Sequence, residues 1–328
     1  MPCNCPPKPW LSTEDQIKLM QSRGLFISDI QAAEIALKKF GYYRLSGYSY
    51  VLRESYFTSK GEKKLNSFKK GASFDYVIQL YEFDKRLRLL LLDAIERIEI
   101  SLRSSISYHL GQRDPKFYDK PENFKKEYRC KEYRFWLEKL NKKIKESKED
   151  CILHYLRFYG EDNIPVWVIC QTWDFGQASW LLQLLNSEWV EIVSQQYGFK
   201  GAPAFLSWLK CFNELRNICA HHSRLWNRRF SLVPKTPSGK DLLSPILWSC
   251  NFTQTEKRKL FFYLCGLVHF IRFIEPESVW ADKMKAFMRK FPTSYPLGIT
   301  LETLGFVPNW EGFIDNIKND LPRKSIGL

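Results

Sequence analysis

An all-α fold is predicted by three observations on this 328-residue chain. Apolar residues recur at steps of three and four over long stretches, as a helix with one buried face requires. No stretch sustains the apolar-polar alternation of a half-buried strand. The chain is 45% hydrophobic and 16% aromatic, enough to fill a sizeable helical core.

The elements follow in order. Residues 1–9, rich in proline and cysteine, read as a disordered tail without the apolar segment of a secretion signal. Ser12 to Asp15 forms a capping box that opens a short helix, and Ser28 to Gln31 opens another that ends near Gly41. The segment 40–53, dense in tyrosine and arginine around Gly47, is either a helix start or a short hairpin. Residues 59–71 carry Lys60, Lys63, Lys64, Lys69 and Lys70 between glycines and read as a basic linker. A long helix over 74–110 is marked by Tyr76, Leu80, Phe83, Leu87, Leu90, Ala94, Ile98, Leu102 and Ile106. On it, Glu96, Arg97 and Glu99 are expected in structural ion pairs. Gly111, Pro115 and Pro121 open a charged insertion at 111–150, with a solvent-exposed helix over 140–148. Helical patterns return at 166–185, 187–197 and 204–222, and 255–274 is the last core helix. A short helix at 280–289 and an aromatic, proline-punctuated tail end the chain. The expected organisation is a basic N-terminal helical module with its linker (1–70), a helical core (71–275) and a C-terminal short helix with tail (276–328).

The net charge of +14 favours a polyanionic partner. The most apolar stretch, 261–274, is too short to span a bilayer, so nucleic acid is the expected partner and a membrane is not. Nine cysteines, odd in number and without a regular framework, point to reduced thiols in a cytosol. Cys3 and Cys5 form a Cys-x-Cys without a histidine nearby. A zinc site needs about four ligands, so no metal site is expected there.

The segment Glu214-Leu215-Arg216-Asn217-Ile218-Cys219-Ala220-His221-His222-Ser223-Arg224 carries the chemistry. Phe205, Trp208, Phe212, Leu215 and Cys219 make one apolar stripe; Asn213, Asn217 and His221, at steps of four, make a polar one. Arg216 precedes Asn217, and its long side chain can curl toward His221. An imidazole exchanges a proton near neutral pH, and a guanidinium holds a phosphate by two hydrogen bonds. The pair suits cleavage or gripping of a phosphodiester. His222, about a hundred degrees round a continuing helix, reads as structural. The loose pattern of an arginine followed by a histidine four to six residues later is also met by Arg103 and His109, and an exposed polar face with a capping histidine would satisfy it equally.

Longer blocks decide between these readings. They are Tyr42-Tyr43-Arg44-Leu45-Ser46-Gly47-Tyr48; Leu80-Tyr81-Glu82-Phe83-Asp84-Lys85-Arg86-Leu87-Arg88; Ala94-Ile95-Glu96-Arg97-Ile98-Glu99; Pro165-Val166-Trp167; Trp173-Asp174-Phe175-Gly176; and Leu215-Arg216-Asn217 through His221 to Asn227. A shorter echo stands at Gly305-Phe306-Val307-Pro308-Asn309-Trp310. In this order they resemble the abortive-infection family of the AbiD/AbiF type, in the HEPN superfamily. The resemblance implies an all-helical HEPN-like bundle and a bacterial, cytoplasmic phage-defence protein or toxin. It further implies a metal-independent endoribonuclease that needs no cofactor and leaves a 2′,3′-cyclic phosphate. The superfamily's Arg-x4-His signature falls on Arg216 and His221, with Asn217 beside the arginine; Arg103 and His109 do not correspond to it. The resemblance also implies a homodimer that sets two motifs across one cleft, and a small structured noncoding RNA that holds the toxin at rest.

Around that centre, RNA contacts are expected from Lys38, Lys39, Tyr42, Arg44, Lys63, Lys64, Lys69 and Lys70, and from Arg224, Arg228 and Arg229. The three arginines equally suit a basic helix end, and Tyr43 and Tyr48 equally suit packing of the N-terminal module. Trp173, Asp174 and Phe175 read as core, with Asp174 a helix cap or a buried partner of an arginine. Two further functions fit the composition: a non-catalytic binder of structured RNA, and an inactive HEPN protein-interaction module.

Overall fold

The computed structural model describes residues 9–59, 61–160, 163–237, 239 and 241–319. Cys3 and Cys5, the tail at 1–8, Lys60 of the basic segment and the end of the C-terminal tail lie outside the described residues. Helices dominate, and among the described residues the only sheet is one two-stranded hairpin, so the fold is all-α with a hairpin added. The chain divides into two compact units. Among the described residues, one contains those up to Leu87 with Arg224–Trp226 and Lys290–Thr303; the other contains those of Arg88–Ser223 and Asn227–Arg289 and those from Leu304 onward.

In the first unit, α1 (Thr13–Ser22) begins as expected, with the Ser12 hydroxyl accepting the Asp15 N–H at 3.1 Å. The cap of α2 (Ile30–Phe40) lies one residue later than expected. The Ser28 hydroxyl donates to Asp75 at 2.6 Å, and Asp29 caps the helix by accepting the Ala32 N–H at 2.9 Å. Gly41, at φ 82°, ends α2 in a conformation only glycine adopts readily. The ambiguous segment 40–53 is helical: α3 (Tyr42–Ser49) runs into one 3-10 turn over Tyr50–Leu52. Strands β1 (Arg53–Thr58) and β2 (Gly61–Phe68) then pair antiparallel, with Tyr56 opposite Lys63 and a bulge between Arg53 and Ser55. The basic linker expected at 59–71 is therefore a strand for most of its length. Within the two strands only Phe68 is buried, so no apolar alternation marks them in the sequence.

The centre of this unit is Asp84, fully buried on α4 (Phe74–Ser105). Its carboxyl group accepts the Tyr48 hydroxyl at 2.6 Å, the Trp226 N–H at 2.5 Å and the Leu225 N–H at 3.2 Å. The Tyr48 ring stacks on Trp226 at 6.4 Å, and the Arg224 guanidinium donates to the Gly47 carbonyl. Three of the quoted sequence blocks thus meet at one buried carboxyl. That arrangement satisfies backbone groups that burial would otherwise leave unpaired.

The second unit takes the rest of α4. The expected helix 74–110 is continuous, but its last turn, Ile106–Leu110, is a π turn, followed by α5 (Gly111–Arg113). Arg97 pairs with Asp93 and Glu275, and Glu99 with Arg103, as expected for structural ion pairs; Glu96 makes none among the described residues. The exposed helix expected at 140–148 is instead α6 (Glu132–Glu146), which buries Tyr133, Trp136, Leu140 and Ile144. Charged residues between these positions hide the stripe from a reading by composition. After α7 (Asp150–Tyr159), the pattern at 166–185 breaks into α8 (Val166–Ile169), a 3-10 turn over Cys170–Thr172, and α9 (Phe175–Leu184). Then come α10 (Ser187–Gln195), α11 (Ala202–Ala220), α12 (Ser244–Ser249), α13 (Leu260–Ile274), α14 (Trp280–Met288) and α15 (Trp310–Asn319). The sequence reading places no helix at α7, α12 or α15.

The core of this unit is α13, buried on every side from Leu260 to Arg272. Trp208 stacks on Phe262 at 5.4 Å and lies over Gly266, where a Cβ would come within 2.2 Å of the indole. Among the described residues no helix is long and apolar enough to cross a membrane.

His269 of α13 is fully buried, with Nε2 donating to the Tyr197 carbonyl at 2.8 Å. Burial and the Arg272 charge hold its pKa well below the ordinary imidazole value, against a smaller opposing effect of the Tyr197 bond. A depressed folded pKa stabilises the fold above the unfolded value and is a growing penalty as pH drops below about 6.5. The wild-type chain should lose up to about 1.4 kcal/mol per pH unit from this group over that range. His269→Gln, which keeps a donor for Tyr197, should lack that slope in melts compared at neutral and mildly acidic pH. Equal slopes in both proteins would remove the assignment.

Candidate functional site

The site residues are placed by the rotation of α11. Phe205, Trp208, Phe212, Leu215 and Cys219 are at most 1% exposed and fix the buried face. That rotation leaves Asn213 and Arg216 part-exposed and Asn217 and His221 exposed. The helix stops earlier than the expected 222. His221 is its C-terminal cap, its N–H bonded to the Asn217 carbonyl at 2.9 Å. His222 adopts φ 55°, its N–H donates to the Cys219 carbonyl at 3.1 Å, and the Ser223 N–H reaches back to Ile218 at 3.0 Å. This is a Schellman ending, with a histidine where glycine is usual. His222 therefore stands beyond the helix and ends it, rather than lying round a continuing one. The buried Arg88 donates to the Ser223 carbonyl at 3.4 Å and so holds the turn from outside.

Arg216 lies along the Asn217 amide, donating to its Oδ1 at 3.3 Å, and the charge of Asp174 is close by. Asp174 precedes α9 and caps it, one oxygen accepting the Gln177 N–H at 2.8 Å; the other accepts the Lys143 ammonium at 2.7 Å. Burial pushes the Asp174 carboxyl up. The Lys143 bond, the Gln177 N–H and the charges of Lys143 and Arg216 together bring it below the ordinary carboxylate range. Gly176 leaves room for this approach, since a Cβ there would lie 3.2 Å from both Asn213 Oδ1 and Asp174 Oδ1. The Trp173-Asp174-Phe175-Gly176 block and the Arg216-Asn217 block are thus neighbours in space. Asp174 is the helix cap read from the sequence; it is only part-buried, and its ion-pair partner is Lys143 rather than an arginine. Lys143 was not legible as part of the site, because its helix reads as a charged insertion.

The His221 ring makes no hydrogen bond or ion pair among the described residues. It is open to solvent on the same polar stripe as Asn217. The arrangement offers an accessible proton carrier, a guanidinium and an amide at one helix end, with the charge of Asp174 within electrostatic reach of the guanidinium. Asp174→Ala should destabilise the unit by about 1–2 kcal/mol through loss of the cap, while Asp174→Asn keeps the cap and loses less. Because the folded pKa of Asp174 is depressed, its ionic contribution is present at neutral pH and is lost only as pH falls below about 4. Denaturant midpoints at pH 7 check the ranking of the two variants.

The other expected contacts are distributed as follows. In the second unit, Arg228 and Arg229 are exposed past the turn, and Arg229 reaches the Thr255 hydroxyl at 3.5 Å. In the first unit, Lys38 pairs with Glu34 at 2.6 Å and Lys64 with Glu62 at 2.8 Å. Lys39 lies over Phe40, Tyr42 meets Tyr43 edge to face, and Arg44 lies over Tyr81. Lys63 and Lys70 are exposed, whereas Lys69 donates to the Leu297 carbonyl at 2.8 Å and serves the fold. Arg224 is bonded to Gly47, as described above. Tyr48 is a packing residue, while Tyr43 is exposed. The second Arg–His pair is not a site of this kind: Arg103 is bonded to Glu99, and His109 lies in the π turn against Tyr108. Among the described residues no three His, Cys, Asp or Glu side chains gather to hold a metal ion.

Comparison with curated proteins and with solved structures gives no match. The profile of the Abi-like protein family matches residues 35–227. The matched span runs from α2 to Asn227. It takes in the Asp84 cluster, the Asp174 cap and the whole Arg216–His221 segment, more than half of the 328 residues. The chain belongs to the family of Abi-like proteins.

Proposed function

We propose that this Abi-like chain is a HEPN endoribonuclease of the AbiD/AbiF type that acts in abortive infection. Membership of the Abi-like family supports a role in phage defence. The observation that carries the enzymatic reading is the end of α11. There an exposed His221 ring, with no hydrogen bond or ion pair among the described residues, shares a face with Asn217, and Arg216 donates to the Asn217 amide.

The chemistry follows from those groups. An imidazole takes the proton of a ribose 2′-hydroxyl, and the oxygen attacks the adjacent phosphorus. The bond from phosphorus to the 5′-oxygen breaks, that oxygen takes a proton, and the products are a 2′,3′-cyclic phosphate and a 5′-hydroxyl. A guanidinium neutralises charge that builds on the phosphorane oxygens. His221 is the proton carrier, Arg216 the phosphate clamp and Asn217 the group that orients one of them. One imidazole cannot act as base and acid in the same instant, so a homodimer with two copies of the motif in one cleft supplies both. The +14 charge supports a polyanionic substrate such as RNA; in this reading a structured noncoding RNA holds the protein at rest in the bacterial cytoplasm.

The test is incubation of the purified protein with mixed RNAs in EDTA, followed by end-group analysis. Cleavage that leaves cyclic phosphate ends is the expected result. Complete loss of cutting in chelator, or 3′-hydroxyl ends, would overturn the mechanism.

A further inference from the structure

The first half of α11 lines a separate cavity of about 490 Å³ within the second unit. Ligand pockets span roughly 300–1,000 Å³, so this one has room for a small molecule. Lys210 of α11, Lys235 and Lys125 border it, and Glu132 is the one carboxylate in its lining. The side chains of Lys210 and Lys235 have no ion pair or hydrogen bond among the described residues, which leaves two ammonium groups uncommitted. Lys125 is partly buried and donates to the Gln183 carbonyl at 2.8 Å. Burial, with the charge of Lys210 as a smaller contributor, lowers its pKa, although the charge of Glu127 opposes the fall. Two flat rings, Trp180 and Tyr128, complete the walls.

The cavity is distinct from the His221 end of the helix. The Glu214 carboxylate accepts the Ser231 and Leu232 N–H groups, at 2.9 and 3.1 Å, and so fixes that loop segment against the part of α11 between Lys210 and Asn217. Leu232 then forms part of the cavity wall.

Both rings are part-exposed and have a lysine over one side, Lys125 over Tyr128 and Lys139 over Trp180. An excess of ammonium groups beside two such rings suits a ligand with a phosphate at one end and a flat heterocycle at the other. We propose that this cavity binds a nucleoside phosphate, either free or as one unit of an RNA strand. The RNA source rests on the ribonuclease reading above; the free nucleotide does not.

The experiment titrates the full-length protein into ATP labelled with N-methylanthraniloyl and follows fluorescence anisotropy. Saturable binding is expected. Lys210→Glu and Lys235→Glu, both at exposed positions, should each weaken it about tenfold or more, since each removes a charged hydrogen-bond donor. His221→Ala should bind as the wild type does, which separates this site from the proposed catalytic one. A short oligoribonucleotide that displaces the label assigns the site to RNA, and one that fails to displace it assigns the site to a free nucleotide. Absence of saturable binding, or wild-type affinity in both charge reversals, overturns the proposal. Displacement by inorganic pyrophosphate as readily as by unlabelled ATP also overturns it, because the rings would then contribute nothing.

Discussion

Arg216→Ala and His221→Ala are each expected to lower RNA cleavage by at least about a hundredfold. His221 is exposed at the C-terminal cap of α11, where its backbone rather than its ring closes the helix. Its ring can be removed without opening the core. Arg216 is part-exposed, and its loss leaves Asp174 still bonded to Lys143 and Gln177. Both variants should therefore melt within a few degrees of the wild type while losing activity. Arg216→Lys keeps the charge without the two-pronged grip and should retain only part of the rate. Mixing Arg216→Ala and wild-type chains should lower activity per wild-type chain if two motifs share a cleft. Full cleavage by the His221→Ala protein would sink the catalytic assignment, and a fully active monomer in light scattering would sink the shared cleft.

Asp84→Ala should be the most damaging single change to the fold. It removes the carboxyl that three buried donors share, the Tyr48 hydroxyl and the Leu225 and Trp226 N–H groups. Each unsatisfied donor costs about 1–3 kcal/mol, so a total of several kcal/mol is expected, enough to unfold a protein of ordinary stability. Tyr48→Phe removes one donor while the backbone bonds stay, and should cost about 1 kcal/mol. Urea titration followed by near-UV circular dichroism measures both. If Asp84→Ala costs no more than Tyr48→Phe, the carboxyl is not the organising group of the unit.

The same contacts show why part of the molecule is legible in the sequence. The rotation of α11 follows from Phe205, Trp208, Phe212, Leu215 and Cys219, because a helix has one period and this stripe has one place to go. The polar stripe of Asn217 and His221 follows from the same period. The all-helical class and the long α4 are fixed in the same way, and α13 is marked instead by its continuous apolar run. The hairpin is not, because its strands are solvated on both faces and bear no apolar alternation. Nor is the burial of α6, whose stripe is diluted by the lysines and glutamates between its apolar residues.

The site divides along the same line. The residue types, their spacing and the helix that carries them are local properties, and the sequence by itself determined Arg216, Asn217 and His221 as a set. Long-range partners carry no local signal, so only the tertiary structure decided that Asp174 pairs with Lys143 and brings its charge near Arg216, and that Arg88 bonds to the turn after His221. It alone decided that His222 ends the helix in a left-handed turn, because a histidine can continue a helix or end one, and the bonds to Cys219 and Ile218 settle which.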